Sequence, residues 1–278
     1  MRRYQAPAKV NLSLHVFPLG DDGYHPLESL VQTLEWCDDL EVEGADEWSL
    51  EVVGAEIDDD ENLVTRGFAE MGVVRVAVKL TKSLPVAAGL GGGSSDGAAA
   101  LVASTSFGGD RDAVRPAAAK LGADVPMFLD GGTQMMMGRG EVLERGRQLS
   151  GFALAIVVPD LHVSTAGVYR RWDEMEGPSG EVPPDDSLPP ELRDSMPLRN
   201  DLLPAALAVE PGLGDFMADV RRVWGRPALL TGSGPSCFGF FNTVDEASDA
   251  ARAIGGTRAA RGVALRDHGI SEVPRTDN

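Results

Sequence analysis

The sequence predicts an α+β protein of two domains, each an α/β sandwich, with the boundary near residue 150. Three observations lead to this prediction. The chain has 278 residues, which is enough for one large domain or two modest ones. Strand-like and helix-like segments alternate along it without an internal repeat. Hydrophobic residues make up 43% of the chain, which excludes a wholly disordered protein.

Charge and cysteine content narrow the function classes. The chain carries 43 Asp and Glu against 25 Lys and Arg, for a net charge of −18. A general nucleic-acid binder needs a basic footprint, so no nucleic-acid partner is expected. No apolar run approaches the roughly 18 residues of a membrane span, and the first residues lack a signal-peptide core. With only Cys37 and Cys237, which suit reduced thiols, we expect a soluble cytoplasmic protein without a membrane partner.

The first elements are strands. Residues 7–17 alternate apolar and polar side chains, as a half-buried strand does, and a second alternating stretch follows a glycine turn. Between Asp38 and Glu61 half of the residues are acidic and none is basic. This composition indicates the solvated face of a hairpin without a functional role. Helix-like residues 62–72 and a β-branched strand over 73–80 follow.

The later elements continue the alternation. An Ala-rich helix is expected from about Ser95 to Ser106, a second helix over 112–121, and strands over 133–143. A strand over 152–158 opens the second half, and the six prolines between Met175 and Leu198 predict a long loop or a part-ordered insert. The remaining predictions are helices near 200–209 and 212–223, a strand–turn–strand over 229–241, a helix near 245–254 and a last strand over 262–266.

The strongest local signal is the run Gly89-Leu-Gly-Gly-Gly-Ser-Ser-Asp96 between a strand and a helix. Glycines remove the Cβ atoms where backbone approaches a ligand, so that consecutive N–H groups can converge on phosphate oxygens. The following helix adds its N-terminal N–H groups, and Ser94 and Ser95 add hydroxyl donors. A flexible linker is the alternative, but a linker would not be bracketed by a clear strand and a clear helix. The run matches neither a P-loop nor a dinucleotide-binding motif.

Three other segments have both a chemical and a plain structural interpretation. Lys9 stands beside Asn11 in an apolar strand, where a strand lysine that extends to solvent is the simpler explanation. Asp124 lies in an apolar stretch just past a helix, where a turn aspartate is ordinary. Tyr24 and His25 follow a glycine turn and would otherwise be a strand-start aromatic residue and a partly exposed histidine.

Taken together, these segments resemble a known family. In order they are Pro7-Ala-Lys-Val-Asn-Leu12, Asp22-Gly-Tyr-His25, Pro85 to Asp96, Gly122-Ala-Asp-Val-Pro126 and Gly232-Ser-Gly-Pro-Ser236. They are similar to motifs of the 4-diphosphocytidyl-2-C-methyl-D-erythritol kinases, a branch of the GHMP small-molecule kinases. The resemblance runs from about residue 6 to about residue 255. Gly97 and the segment Val86-Ala87-Ala88 depart slightly from the family pattern, and the proline-rich segment has no clear counterpart.

The resemblance implies a fold and an activity. The fold would be the two-domain GHMP kinase fold, with an N-terminal α/β ATP-binding domain over 1–150 and a C-terminal ferredoxin-like α/β sandwich over 151–278. The activity would be ATP-dependent phosphorylation of the 2-hydroxyl of 4-diphosphocytidyl-2-C-methyl-D-erythritol, in the non-mevalonate route to isoprenoid precursors.

The resemblance also implies site residues. Asp124 would be the catalytic base and Lys9 its charged partner. Tyr24 and His25 would hold the cytosine, Asn11 would line the acceptor pocket, and Tyr169, a looser match, would supply a second aromatic wall. The segment implied to wrap the ATP phosphates consists of Pro85, Val86, Ala87, Ala88, Gly89, Leu90, Gly91, Gly92, Gly93, Ser94 and Ser95.

The remaining expectations concern the metal and the assembly. No Asp/Glu pair near the glycine run is an obvious ligand, so Mg²⁺ is expected to arrive with ATP, without an assigned protein ligand. A monomer or a weak homodimer is expected. Two alternatives stay open: another small-molecule kinase, which would not need Tyr24 and His25, and a nucleotide-binding regulator without turnover, which would not need Lys9 and Asp124.

Overall fold

The computed structural model describes residues 1–21, 23–57, 62–193 and 196–274. Its described strands form one sheet of eight strands and one of four. The larger sheet contains β1 (Arg2–Asn11), β2 (His15–Val16), β3 (Leu27–Gly44), β4 (Ser49–Val53), β5 (Val76–Thr81), β6 (Thr133–Gly138) and β7 (Val142–Arg145). Strand β3, with 18 residues, is the central strand of this sheet. It pairs with β2 and β6 near its start and with β1 and β5 further along.

The predicted acidic hairpin between Asp38 and Glu61 is wrong. Strands β3 and β4 are not neighbours, because β5 lies between them, antiparallel to β3 and parallel to β4. The side chain of Asp38 is completely buried and not solvated. Residues 58–61 of the predicted hairpin lie outside the described residues. Alternation with exposed acids identified strands here, but it carries no information about which strands pair.

The described residues of the first half form four α-helices. They are α1 (Leu63–Glu70), α2 (Gly92–Ser104), α3 (Val114–Leu121) and α4 (Met127–Asp130). Helix α2 is buried along most of its length, where small alanine side chains allow close packing. It begins at Gly92, three residues before the predicted start near Ser95, because Gly91 takes the left-handed conformation that precedes the first helical turn.

The second half confirms the ferredoxin-like expectation. Its strands are β8 (Ala153–Pro159), β9 (Leu229–Leu230), β10 (Cys237–Phe241) and β11 (Thr257–Ala264), in the sheet order β11-β8-β10-β9 with every pair antiparallel. The helices are α5 (Thr165–Glu174), α6 (Pro190–Arg193), α7 (Leu203–Val209), α8 (Pro211–Trp224) and α9 (Val244–Arg252). The chain order of strand, helices, two strands, helix and strand is that of the ferredoxin-like motif.

The strand predicted over 262–266 as the last one corresponds to β11, but β11 is not the last strand of the chain. After β11 a further strand, β12 (Ser271–Val273), pairs with β1 at the edge of the first sheet. Strand β12 has only three residues, which is too short for an alternation of apolar and polar side chains to be recognised in the sequence. Apart from β12, the strands of the first sheet lie before residue 150 and those of the second sheet lie after it.

Most described residues of the proline-rich segment lie outside helices and strands, as the prediction of a long loop has it, but several of its leucines are buried in the core. It contains a 3₁₀ turn over 185–187 and the short helix α6. Its leucines Leu188 and Leu198 pack in one buried cluster with Leu154 of β8 and Val10 of β1. This cluster therefore holds the second sheet, the first sheet and the insert together. Within the described ranges, no helix is both long and apolar enough to cross a membrane.

Candidate active site

The glycine loop between β5 and α2 lines a cavity of about 340 Å³. All residues predicted to wrap ATP phosphates line it except Ser95, and the remaining walls come from Ile57, Asn62, Leu63, Lys82 and Asp96. The volume lies within the usual range for a small-molecule site. Ser95 does not fit the prediction of a hydroxyl donor to phosphate, because it is fully buried in α2 and does not line this cavity.

The loop backbone has a repeating left-handed conformation. Positive φ values occur at every second residue, at Ala87 (53°), Gly89 (76°) and Gly91 (73°). A Cβ on Gly91 would lie 2.7 Å from Phe128 Cζ and 2.9 Å from Lys9 Cγ, so only glycine fits there. Alternating backbone conformations of this kind turn successive N–H groups into one concavity that binds anions. The first N–H groups of α2, from Gly92 onward, open into the same place.

Hydrogen bonds from both halves of the chain hold this loop in place. From the second half, Ser236 Oγ donates to the Ala88 carbonyl at 2.5 Å. From β1, the Lys9 N–H donates to the Leu90 carbonyl at 2.9 Å. A Cβ on Gly89 would lie 2.9 Å from the carbonyl oxygen of Thr231. In the sequence, the motif Gly232–Ser236 contributes to the family resemblance but indicates no role. In the structure, this turn of the second half contacts the glycine loop.

Lys9 and Asp124 meet at the end of the loop. Lys9 is almost fully buried, with its Nζ 2.6 Å from Asn11 Oδ1 and 3.9 Å from Asp124 Oδ2. Burial lowers the pKa of Lys9, and the charge of Asp124 partly opposes that change. The Asp124 side chain is 40% exposed, so one carboxylate face remains accessible to a substrate. The structure therefore brings together two of the predicted residues that lie far apart in the chain.

Asn11 connects this pair to the second half. Its Nδ2 donates to Ser29 Oγ at 2.8 Å, and its backbone N–H donates to Thr231 Oγ1 at 2.9 Å. A Cβ on Gly232 would lie 3.5 Å from Asn11 Oδ1 and 3.8 Å from Lys9 Nζ. These contacts fix the Asn11 amide, which in turn fixes the Lys9 ammonium.

His25 and Tyr169 form the next part of the site. Their rings stack with centroids 5.5 Å apart, and the Trp172 ring meets the other side of His25 edge-on at 5.4 Å. His25 Nδ1 lies 3.0 Å from the Phe17 carbonyl oxygen, and its Nε2 lies 3.2 Å from Asp173 Oδ2. Both partners are acceptors, so each ring nitrogen that bonds must carry a hydrogen. Each ring nitrogen thus lies within hydrogen-bond distance of an acceptor of the protein, and no sequence pattern indicated Trp172 and Asp173 as site residues.

The electrostatic environment of Tyr169 includes Asp124. Burial raises the pKa of Tyr169 to about 12, and the charge of Asp124 adds to the increase. The electrostatic influence of Asp124 reaches Tyr169 although the two residues come from different halves of the chain. Tyr24, by contrast, is 57% exposed. The Arg139 guanidinium lies over its ring, with Arg139 Cζ 4.3 Å from the ring centroid. Asp22, from the same motif, is outside the described residues.

Two acidic residues lie beside the glycine loop, and both are bound to a lysine. Asp38 and Asp96 are far apart in the chain, but both bind Lys82, whose Nζ lies 2.5 Å from Asp38 Oδ2 and 2.6 Å from Asp96 Oδ2. Nearby, Asn62 accepts the Val64 N–H, and its Nδ2 is buried without a partner among the described residues. No local sequence signal marks these residues, because only the sheet and α2 bring them together.

The lysine content of the sequence gave one usable signal. The chain has only four lysines among 25 basic residues. Lys9 and Lys82 are buried in or beside the site, whereas Lys79 and Lys120 pair with Glu51 and Glu70 on the surface.

The chain is similar to known proteins over most of its length. Residues 62–132 match the family described as GHMP kinases N terminal domain. A Paramagnetospirillum magneticum protein named 4-diphosphocytidyl-2-C-methyl-D-erythritol kinase is 40% identical over 277 residues, which cover 92% of this chain and 94% of the relative. A crystal structure of 4-(cytidine 5'-diphospho)-2C-methyl-D-erythritol kinase, 33% identical, superposes with a TM-score of 0.76 over 94% of this chain and 99% of that one. The homoserine kinase from Cytophaga hutchinsonii, 16% identical, superposes with a TM-score of 0.66 over 98% and 97% of the two chains, which is a likeness of fold alone.

Proposed function

The chain belongs to the 4-diphosphocytidyl-2-C-methyl-D-erythritol kinases, a branch of the GHMP kinases, and we propose that Asp124 and Lys9 carry its phosphoryl transfer. It is an ATP-dependent kinase that phosphorylates the 2-hydroxyl of 4-diphosphocytidyl-2-C-methyl-D-erythritol, in the methylerythritol phosphate route to isoprenoid precursors. The observation that supports the assignment of roles is the buried Lys9 ammonium, which lies between Asn11 and Asp124 at the end of an anion-binding loop.

In this proposal Asp124 is the general base. Its accessible carboxylate accepts the proton of the acceptor hydroxyl as the hydroxyl oxygen attacks the γ-phosphorus of ATP. The bond to the bridging oxygen breaks, and ADP leaves with the electron pair. Lys9 stabilises the charge on the transferring group, since phosphoryl transfer depends on positioning and charge neutralisation. A fixed ammonium in a buried site acts more strongly than the same charge in water.

We assign ATP to the loop cavity. The N–H groups of the loop and of the first turn of α2 would hold the triphosphate, and the backbone of Pro85–Ser94 would shape the site. Mg²⁺ would enter with ATP, where it neutralises charge on the triphosphate and keeps several water ligands. The described residues hold no group of three or more His, Cys, Asp or Glu suited to a metal ion.

The acceptor would lie on the His25 and Tyr169 side of Asp124. Tyr169 offers an aromatic face near the catalytic pair, and Tyr24 would close the pocket from the Arg139 side. Since each ring nitrogen of His25 lies within hydrogen-bond distance of an acceptor of the protein, recognition of the cytosine edge would fall to its backbone groups. A pocket matched to cytosine leaves buried groups unpaired against uracil, at about 1–3 kcal/mol for each group.

The assembly and location are proposed from the sequence. We propose a monomer or a weak homodimer that works in the cytoplasm. We also propose two functional domains over 1–150 and 151–278, with β12 returning to the first sheet.

The test is consumption of ATP with a panel of acceptors. We expect turnover with 4-diphosphocytidyl-2-C-methyl-D-erythritol, at least about a hundredfold less with its uridine analogue, and none with mevalonate or homoserine. Equal use of the cytidine and uridine forms would refute recognition of the base. Turnover with mevalonate or homoserine, and none with the cytidine compound, would refute the assigned substrate.

A further inference from the structure

Three ionisable side chains that the phosphoryl-transfer proposal does not use meet beside the glycine loop. Lys82 Nζ donates to Asp38 Oδ2 at 2.5 Å and to Asp96 Oδ2 at 2.6 Å. The side chains of Lys82, Asp38 and Asp96 are 3%, 0% and 3% exposed. We refer to these three residues as the Lys82 triad. A buried ion cluster of this kind is costly to build, so its position in the fold calls for a physical explanation.

The Lys82 triad connects the two ends of the glycine loop. At the start of the loop, Asp38 Oδ1 accepts the N–H groups of Ser83 and Leu84 at 2.5 and 2.7 Å. At the other end, Asp96 lies one turn beyond Gly92 on α2. A Cβ on Gly92 would lie only 3.3 Å from Lys82 Nζ, so the ammonium packs directly against the first residue of the helix. The Lys82 triad therefore fixes β5, β3 and α2 around the ATP cavity.

The charges of the Lys82 triad do not balance if both carboxyls are ionised. One ammonium and two carboxylates would leave a net negative charge in a buried place, which is unfavourable. Two adjacent carboxyls usually avoid this by sharing one proton. Asp38 has three donors, whereas Asp96 Oδ1 is buried without a partner among the described residues. Asp96 is therefore the carboxyl that holds the proton.

The surroundings of Asp96 agree with this assignment. Burial raises the pKa of Asp96 to about 8, Lys82 opposes the increase, and Asp38 adds to it. Among the described residues, the charged groups that act on Asp96 are Lys82, directly after β5, and Asp38 on β3. Asn62, which precedes α1 and lines the same cavity, is neutral.

We propose that the Lys82 triad is a positioning group for ATP, in which Lys82 and Asp38 hold the glycine loop against α2 and protonated Asp96 keeps the cluster neutral. Loss of the Asp96 proton would place a negative charge next to Gly92, where it repels the bound triphosphate. The assignment of ATP to this cavity rests on the proposed function. The consequence is that ATP affinity falls as Asp96 ionises.

The first experiment measures ATP binding calorimetrically between pH 7 and pH 9 without an acceptor. Wild-type affinity is expected to fall about tenfold over this range, as one added charge near the triphosphate would cause. Asp96→Asn cannot gain that charge, so its affinity should change less than twofold. Lys79→Met is the matched control, because Lys79 lies on β5 close to Lys82 in the chain but pairs with Glu51 at the surface. The ATP affinity of this variant should follow the pH dependence of the wild type. An equal pH dependence in Asp96→Asn and the wild type would overturn the proposal.

The second experiment separates positioning from a purely structural role. Lys82→Met and Asp38→Asn are expected to raise the KM for ATP at least about tenfold and the KM for the acceptor less than twofold. Equal increases in both constants, or a loss of thermal stability with unchanged KM for ATP, would overturn it. Asp38→Asn is nearly isosteric and serves as the test if Lys82→Met does not fold.

These outcomes are distinguishable from a failure of the proposed function. The calorimetric experiment contains no acceptor, so its result does not depend on which alcohol the enzyme phosphorylates. Failure to phosphorylate the cytidine compound would refute the substrate and leave the ATP measurements unaffected. Absence of ATP binding in the wild type would refute both.

Discussion

Asp124 is the residue at which the phosphoryl-transfer proposal is most directly tested. Asp124→Asn keeps the size of the side chain but cannot accept the proton of the acceptor hydroxyl. We expect kcat to fall about 10²–10⁴-fold while ATP binding and thermal stability stay close to wild type. The measurement is steady-state turnover together with ATP calorimetry. A turnover number within twofold of wild type would contradict the assignment of Asp124 as the base.

Lys9 has a separate prediction, because its charge and its shape both matter. Lys9→Ala should lower kcat about 10²–10³-fold, since it removes a preorganised charge from the reacting group. Lys9→Arg should recover little, because a planar guanidinium does not fit between Asn11 and the loop. Full activity of Lys9→Arg would show that Lys9 only supports the strand. Lys79→Ala, at the surface, is the control.

The pH dependence of Lys9 follows from its burial. Burial lowers the pKa of Lys9, so the ammonium is lost at a lower pH than for an exposed lysine. Turnover should therefore decrease as pH rises through this lowered pKa. In Asp96→Asn the alkaline decrease in kcat is expected to persist, since it belongs to Lys9, while the pH dependence of ATP affinity disappears. A pH–rate profile of kcat for both proteins checks this.

At the scale of elements, the glycine loop depends on its left-handed residues. Gly91→Val would place a branched side chain where a Cβ already meets Phe128 and Lys9 at under 3 Å, and at a φ of 73°. We expect the KM for ATP to rise much more than the KM for the acceptor. Gly255→Val is the matched control, because Gly255 lies outside the loop, has no positive φ and has open space around the position of a Cβ. Equal weakening for both substrates would mean that the loop only supports the fold.

At the scale of the whole molecule, the proline-rich insert joins the two sheets. Leu198→Ala would remove a side chain from the cluster that both sheets share, and should lower the free energy of unfolding by about 2–5 kcal/mol. Val182→Ala, in the same insert but 53% exposed, should change it by less than about 0.5 kcal/mol. Urea unfolding of the two variants is the measurement. Equal, small effects would show that the insert does not stabilise the interface.

Local patterns account for the parts of the fold that were predicted well. Strand β5 and helices α7, α8 and α9 follow from apolar periodicity, which is a property of consecutive residues. The strand predicted over 7–17 is β1, which ends at Asn11, followed by the separate short strand β2. The predicted hairpin was wrong and β12 was not predicted, because strand pairing depends on contacts between distant segments. The burial of the insert's leucines was not predicted either, because the surface that covers them comes from other parts of the chain.

Local patterns in the sequence indicated the glycine loop, because its glycines and serines are consecutive residues between a strand and a helix. The ferredoxin-like second half and the candidate residues Lys9, Asn11 and Asp124 came from the resemblance of several short motifs to a known family. Only the tertiary structure decided that Lys82 joins Asp38 to Asp96, that Asp173 and Trp172 hold His25, and that the Gly232–Ser236 turn braces the loop. These contacts join residues from separate strands and helices. Their strength comes from burial and close approach, which arise only when the whole chain is folded.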